Sequence, residues 1–325
     1  MATGGDGVNG GILIHGEFAI PTRREECIAL FVRGLNAPSV RVVVGRGAAH
    51  FPSLEQRLLW AKELYPEAEV IAEGASPGDW ISQAMERNCR SFISLDGLFR
   101  AELAAAELME FPVPLSDQLT SRSQADLLRD PIRHWPHLAA MARPFFVSRV
   151  ALVGAESTGK STLARILARR YKTVYTPEFA RLWGDKRANQ LQFEDSETIV
   201  RAHIAAEEAL ARQANRLLIN DTTTISSVMW CHWLYQRCLP WVEELARKRR
   251  PHLALLLDTD VPWVPDPQRT LGERRGEFHA GLRALLDREG IPYELISGSW
   301  QDREKRACEA VDALLGSVYQ IHSGQ

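Results

Sequence analysis

The sequence predicts an α/β fold in two domains, each a parallel sheet covered by helices, with a phosphate-binding loop opening the second. Strand-like and helix-like segments alternate in both halves of the chain. A proline-rich stretch at 112–146 interrupts the alternation, and we place the domain boundary near Arg143. A complete G-x-x-x-x-G-K-[ST] motif follows at 154–162. The predicted parts are a flexible tail (1–10), a first domain (11–143) and a second domain (144–325).

The first domain begins with a strand at 11–14 and a helix over 23–34. A Ser-x-x-Gln capping box at Ser53 starts another helix that runs to about residue 64. The remaining predicted elements are strands at 40–44, 69–72 and 91–95 and a helix at 80–87.

The second domain repeats the alternation around the motif. An apolar run at 150–153 precedes the loop, and a segment of helical periodicity at 161–170 follows it. The other predicted strands are 173–175, 216–219, 253–257 and 293–296, and the other predicted helices are 196–215, 225–249, 275–288 and 302–315.

Composition limits the functional classes. The chain has 325 residues and a formal net charge of −2, so no basic field favours nucleic acid or a membrane surface. No apolar run approaches the ~20 residues of a membrane span, and the start lacks a signal-peptide pattern. The five cysteines form no C-x-x-C pair, which favours a reducing cytoplasm. We expect a cytoplasmic protein with a small-molecule substrate, and a homo-oligomer is left open.

The phosphate-binding loop predicts ATP and Mg²⁺ as cofactors. Its glycines let backbone N–H groups face a phosphate, and the following helix points its positive end at the same anion. Lys160 can reach the terminal phosphates, and the Ser161 hydroxyl can ligate Mg²⁺. The predicted nucleotide-binding residues of the loop are Gly154, Glu156, Ser157, Thr158, Gly159, Lys160, Ser161 and Thr162.

The first polar cluster, Pro-Glu-Phe-Ala-Arg, follows the predicted strand at 173–175. Ligands of parallel sheets lie at the carboxyl ends of strands. Glu178 either takes a proton from an acceptor hydroxyl or holds a sugar diol, and Arg181 orients the acceptor or the phosphate. An exposed helix start is the plain alternative. Trp183 offers a flat face for a ring, or simply packs.

Two further clusters follow later strands. Asp221, after 216–219, is placed either as the Mg²⁺-side acid or as a helix N-cap, and the two roles are compatible. The Pro- and Gly-punctuated segment after 253–257 reads as a mobile lid whose arginines cover phosphates, or as a solvated loop. Its nucleotide-binding candidates are Arg274 and Arg275. Arg269, the best single lid candidate, is predicted to be catalytic, together with Lys160, Glu178 and Asp221.

The motifs GAESTGKST, PEFAR, NDTTT and DTDVPWVPDPQR, in this order, resemble the ribosylnicotinamide kinase domain of NadR-type proteins. In that bifunctional family the kinase follows a nicotinamide-mononucleotide adenylyltransferase domain of Rossmann type. The resemblance is strong after about residue 130 and weak before it. It implies ATP-dependent phosphorylation of the 5′-hydroxyl of nicotinamide riboside, with Glu178 and Asp221 near the ribose or metal. It also implies that Trp263 stacks on the nicotinamide ring, although Pro267 replaces a usual glycine.

The first domain departs from that family. Its adenylyltransferases carry G-x-F-x-P-x-H-x-G-H after the first strand. Gly16 and Phe18 match, but Thr22 and Glu25 stand at the histidine positions and Arg24 at the glycine. A carboxylate at Glu25 opposes triphosphate oxygens.

The family's later I-S-x-T-x-x-R motif has no clear match at 119–129. We therefore expect a nucleotidyltransferase-like domain that keeps its fold, has lost adenylyl transfer, and serves as a structural, oligomerising or ligand-sensing module. An ATP-binding regulator without turnover, and a kinase for another nucleoside, are the alternative functions. A DNA-binding repressor is disfavoured because the chain begins almost directly at the first strand.

Overall fold

A computed structural model describes residues 10–46, 52–74, 76–96, 98–111 and 124–321. The chain separates into two compact units, Met1–Ala142 and Arg143–Gln325. The predicted tail, apart from Gly10, lies outside the described residues. No described helix is long and apolar enough to cross a membrane.

The first unit contains a parallel sheet with strand order β3-β2-β1-β4-β5. Its central strand is buried along its whole length, as expected for a strand covered on both faces. The strands are β1 (Gly11–Gly16), β2 (Val40–Val44), β3 (Glu69–Ala72), β4 (Cys89–Ser94) and β5 (Met109–Glu110). The helices are α1 (Arg23–Gly34), α2 (Leu54–Leu64), α3 (Pro77–Glu86), α4 (Arg100–Ala105) and α5 (Gln124–Arg129), with a 3₁₀ turn at Trp135–His137.

The second unit contains a parallel sheet with strand order β10-β9-β6-β8-β7. Apolar clusters on both faces of the sheet form its core. The strands are β6 (Ser148–Gly154), β7 (Val174–Thr176), β8 (Leu217–Asp221), β9 (Leu253–Leu257) and β10 (Tyr293–Ile296). The helices are α6 (Arg143–Phe146), α7 (Lys160–Arg170), α8 (Phe179–Lys186), α9 (Asp195–Ala211), α10 (Thr224–Tyr235), α11 (Pro240–Lys248), α12 (Arg275–Glu289) and α13 (Trp300–Ile321), with a 3₁₀ turn at Gly272–Arg274.

The predicted helical region 225–249 contains two helices separated by a break at 236–239. Gln236 ends α10 in the left-handed region, at φ +56°. Pro240 then takes the first position of α11, where its missing N–H is not needed. The chain changes direction at this break, so the C-terminal part of α10 lies close to the N-terminal part of α11.

The sheet order explains where a ligand can bind in the second unit. The first strand of this unit, β6, lies at the centre, between β9 and β8. The loops that leave the carboxyl ends of these three parallel strands therefore meet at one edge of the sheet. That edge carries the phosphate-binding loop and the polar clusters identified in the sequence.

Candidate functional site

The phosphate-binding loop runs from the end of β6 to the start of α7, and its two glycines are required by its shape. Gly154 has φ +150°, and a Cβ on it would lie 2.8 Å from the Leu257 carbonyl oxygen. Gly159 has φ +88°, and a Cβ there would lie 2.5 Å from the ring of Trp300. Within the described chain, no side chain caps the start of α7 at Gly159. Its first N–H groups are therefore available to an anion.

The ammonium group of Lys160 is held at the mouth of this loop. It donates hydrogen bonds to the carbonyl oxygens of Gly154, at 3.1 Å, and Ala155, at 2.8 Å. Lys160 is half-buried, so its charge faces a partly desolvated space.

Two carboxylates lie within electrostatic range of Lys160. Glu178 follows β7 and is half-buried. Burial raises its pKa, which the Lys160 charge opposes and the Asp221 carboxylate reinforces. Asp221, the last residue of β8, is 2% exposed. Burial also raises its pKa, against a hydrogen bond from the Ser161 hydroxyl and the charge of Lys160.

The pair formed by Ser161 and Asp221 fits a magnesium ion. Asp221 Oδ1 is buried and has no hydrogen-bond partner among the described residues. The neighbouring Ser161 hydroxyl is the other hard oxygen donor at this point. Mg²⁺ binds one or two protein oxygens and takes its other ligands from water and phosphate. A divalent cation here would satisfy the orphaned oxygen and offset the cost of the buried carboxylate.

The segment after β9 is tied to the phosphate-binding loop. The Glu156 carboxylate accepts hydrogen bonds from the backbone N–H groups of Thr270, at 2.8 Å, and Leu271, at 3.0 Å. The Ser157 hydroxyl accepts one from the N–H of Val264, at 3.0 Å. Two of the four variable residues of the loop, Glu156 and Ser157, therefore hold the segment that carries the predicted lid arginines.

Of the three predicted lid arginines, Arg269 alone is among the described residues that line the cavity. Arg274 pairs with Glu277 at 2.9 Å. Arg275 donates to the Val261 carbonyl oxygen at 3.1 Å. The structure thus brings Arg269 to the site and directs the other two into other contacts, which for Arg274 include the Trp233 ring of α10 at 4.4 Å.

The two predicted stacking tryptophans are absent from the described cavity wall. The indole N–H of Trp183 donates to Asp195 at 2.9 Å. Trp263 lies against the guanidinium groups of Arg275, at 5.3 Å, and Arg269, at 6.0 Å. Both indoles thus make other contacts in this conformation.

A cavity of about 730 Å³ joins the phosphate-binding loop to a second compartment. This volume is in the range of small-molecule sites. Glu178, Arg181 and Asp221 line it together with the whole stretch from Glu156 to Thr162. Arg181 is oriented by an ion pair with Asp266. The cavity therefore has room for more than a triphosphate.

The second compartment is walled by α9 and α10, and sequence reasoning missed it. Its lining includes Ser196, His203, Trp230, Cys231 and Tyr235. The aromatic rings suit a flat heterocycle, and the hydroxyl groups suit polar substituents. In the sequence these residues have ordinary helical spacing and no motif marks them.

Arg303 is a second residue that sequence reasoning missed. It is 1% exposed and lies in α13. Its guanidinium donates to the carbonyl oxygens of Gly298 (3.0 Å), Thr158 (3.3 Å) and Asp258 (3.3 Å) and pairs with Asp260. It thus joins the phosphate-binding loop to the turns after β9 and β10.

In the first unit, the helix that follows β1 is capped by its own side chains. Glu25 is buried and accepts hydrogen bonds from the Thr22 N–H, at 2.8 Å, and from the Thr22 hydroxyl. Thr22 in turn accepts from the N–H of Arg24, at 3.2 Å. The residues at the expected histidine positions form a capping box. The expected later motif at 119–129 lies partly outside the described residues.

Comparisons with known proteins agree with this geometry. A model of the AAA domain family matches residues 149–303, which include the loop, all of β6 but its first residue, β7 to β10 and Arg303. The NAD biosynthesis/regulator protein NadR of Escherichia coli (strain K12), described as trifunctional, is 32% identical over 205 residues, 60% of this chain and 50% of that protein. Its counterpart from Salmonella typhimurium is 31% identical over 203 residues, 60% of this chain and 49% of that protein. The chain thus spans about half the length of these curated relatives.

Solved structures extend the likeness in fold to nearly the whole chain. A NadR protein in complex with NR has a TM-score of 0.71 and 21% identity, covering 95% of this chain and 96% of that one. A NadR protein in complex with NAD and AMP-PNP has the same TM-score and coverage at 19% identity. The predicted two-domain α/β fold and the resemblance to NadR-type proteins are confirmed, and the second unit is a P-loop domain of the ATP-binding kind.

Proposed function

We propose that this NadR-type chain is an ATP-dependent kinase that phosphorylates the 5′-hydroxyl of nicotinamide riboside to give nicotinamide mononucleotide. One observation carries the proposal. A single cavity contains the phosphate-binding loop, two carboxylates and an aromatic compartment. A site that only binds the ATP phosphates does not need the aromatic compartment. The NR complex of a NadR protein of the same fold supports nicotinamide riboside as the acceptor.

The residues of the cavity divide into two groups in this proposal. The loop amides and Lys160 hold the triphosphate, and Arg269 adds positive charge from the segment after β9. Glu178 positions or deprotonates the ribose hydroxyl, and Arg181 orients the acceptor. Trp230 and Tyr235, which line the cavity, contact the nicotinamide ring. The predicted stacking of Trp263 on that ring would require the segment after β9 to rearrange.

Ser161 and Asp221 would hold Mg²⁺, which supplies charge neutralisation to the β- and γ-phosphate oxygens when it is bound. Burial raises the pKa of Glu178, which makes its carboxylate a stronger base toward an alcohol proton. The loop and the segment after β9 lie against each other and exclude water from the space between them. Phosphoryl transfer would therefore take place in a desolvated site.

The test is a panel of nucleosides with Mg-ATP, scored by coupled ADP release and by chromatography of the product. We expect nicotinamide riboside to give the highest kcat/KM and nicotinamide mononucleotide to accumulate in step with ADP. Glu178→Gln should lose most of this activity, and Glu197→Gln should keep it, because Glu197 is exposed and pairs with Arg201. ADP release that no nucleoside accelerates would favour an ATP-binding regulator. A faster reaction with another nucleoside would reassign the acceptor.

We also infer that the first unit has lost adenylyl transfer. The capping box of Thr22 and Glu25 uses the helix-start N–H groups that a triphosphate would need. The buried Glu25 carboxylate repels phosphate as well. The full chain, incubated with nicotinamide mononucleotide and Mg-ATP, should form no NAD and release no pyrophosphate. NAD formation above that of heat-denatured protein would overturn this inference and leave the kinase proposal standing.

A further inference from the structure

The break between α10 and α11 brings the metal-ligating side chains of His232, Cys238 and Glu243 together, and a fourth, Cys231, lies beside Cys238. Cys231 and His232 lie in the last turns of α10, Cys238 lies in the connection, and Glu243 lies in the first turns of α11. None of these residues belongs to the loop or to the carboxylate pair of the proposed kinase site. One sulfur atom, one imidazole and one carboxylate are therefore placed together by a turn of the backbone, with a second sulfur atom next to the first.

The distances within this group are short. His232 Nε2 and Glu243 Oε1 are 2.8 Å apart. One ligand atom each from His232, Cys238 and Glu243 lies within 4.8 Å of the other two. Cys231 is outside this group of three, but its thiol lies within hydrogen-bonding reach of the Cys238 thiol. A tetrahedral ion with bonds of about 2.0–2.3 Å holds its ligand atoms roughly 3.3–3.8 Å apart. The group of three is therefore close to the spacing of a tetrahedral site, and the Cys231 thiol beside Cys238 is the candidate fourth ligand.

We propose that Cys231, His232, Cys238 and Glu243 form a binding site for a thiolate-preferring divalent cation of the Zn²⁺ class. Thiolate sulfur and imidazole nitrogen select this class over Mg²⁺ and Ca²⁺, which prefer oxygen ligands. On binding, the thiols release their protons to solvent and the cation takes their lone pairs, so no oxidant or reductant is needed. The site is separate in chemistry from the oxygen pair Ser161 and Asp221.

The burial of these four residues indicates how a cation would enter the site and what its binding would do. His232 has a side-chain exposure of 47% and Glu243 of 33%, so a hydrated ion can enter from solvent. Cys231 is buried and lines the cavity from the other side. A bound cation would join the end of α10 to α11 and hold the cavity wall that carries Trp230 and Tyr235. The site does not depend on the identity of the acceptor nucleoside.

The test uses the full chain, reduced and freed of metal, titrated with Co²⁺ and followed by absorption spectroscopy. We expect one equivalent of Co²⁺ to give a thiolate-to-metal charge-transfer band and the intense visible bands of a tetrahedral site. One equivalent of Zn²⁺ should abolish these bands, and excess Mg²⁺ should leave them unchanged. Zn²⁺ should also raise the melting temperature, because only the folded chain holds all four ligands together.

Matched variants locate the site. Cys238→Ser and Glu243→Gln should weaken Co²⁺ binding at least tenfold, and Cys238→Ser should also reduce the charge-transfer band. Glu244→Gln and Cys27→Ser should behave as wild type, because Glu244 is exposed and pairs with Lys248, and Cys27 lies in the first unit. In the wild-type chain, Zn²⁺ should protect the half-buried Cys238 thiol from alkylation, a readout that does not depend on how well a variant folds. Absence of the charge-transfer band, its persistence in Cys238→Ser, or no protected thiols would overturn the proposal.

Discussion

Replacing Lys160 with alanine separates catalysis from folding in this protein. The ammonium group bonds to two loop carbonyls at 3.1 and 2.8 Å and stands next to two carboxylates whose pKa values are raised by burial. In the proposed reaction the same group moves to the terminal phosphates as charge develops there. Removing one preorganised donor to such charge costs about 2.7–4 kcal/mol, which is roughly 10²–10³ in kcat.

The stability cost of the same change is smaller. A hydrogen bond from a charged donor contributes about 1.5–3 kcal/mol, but Lys160 is half-buried and part of that contribution is replaced by water. We expect Lys160→Ala to lose about 2 kcal/mol of unfolding free energy. For a domain of this size that loss lowers the melting temperature by about 4–8 °C.

The assay compares initial rates of ADP release at saturating nicotinamide riboside and Mg-ATP with the melting temperature of the ligand-free variant. Lys186→Ala is the matched control, because Lys186 is an exposed lysine at the end of α8 and should change neither quantity. A Lys160→Ala protein that turns over at the wild-type rate would refute the assignment of the loop as a catalytic phosphate site. A variant that loses activity only in proportion to its unfolded fraction would refute it equally.

Three further changes probe the site. Gly159→Ala should destabilise the chain by about 1–3 kcal/mol in a thermal scan, because the φ of Gly159 is +88° and the new Cβ would contact Trp300. Gly276→Ala is the control: its new Cβ meets no described atom within 4 Å, so this variant should be neutral or slightly stabilising. Asp221→Asn should lose activity, but its melting temperature at pH 7 without Mg²⁺ should match or exceed that of the wild type. The pKa of the Asp221 carboxyl is raised in the folded chain, so its ionisation costs stability as the pH rises. The higher melting temperature of the variant should therefore disappear in acid. Arg303→Ala should lose about 3 kcal/mol or more in urea unfolding, because it leaves three loop carbonyls without a buried donor.

The loop and the strand ends could be predicted because their signals are local. Gly154 and Gly159 need backbone conformations that other residues rarely adopt, so their spacing specifies a shape. Glu178 and Asp221 follow short apolar strands, and parallel strands bring such positions to one edge of a sheet. The structure places both in the same cavity as Lys160.

The remainder of the site depends on packing that one sequence does not reveal. His203 and Trp230 have the helical spacing of core residues, and only the placement of α9 against α10 makes them cavity walls. The sequence position of an aromatic residue also does not tell where its ring will point. Trp263 is predicted to face a ligand, but its ring lies against Arg269 and Arg275. The break at Pro240 did carry a signal, since proline is poorly tolerated within a helix.

The two units treat a helix start after their first strand in opposite ways. In the first unit, the Thr22 hydroxyl accepts from the Arg24 N–H and the buried Glu25 carboxylate accepts from the Thr22 N–H, so a negative charge already lies at this helix start. In the second unit, Gly159 precedes α7 with no capping side chain in the described chain, and Lys160 adds a positive charge. A helix start that satisfies itself gains about 1 kcal/mol of stability and loses an anion site, whereas an uncapped start remains unsatisfied until a phosphate arrives. The two starts therefore support assigning phosphate chemistry to the second unit without any appeal to the relatives of this chain.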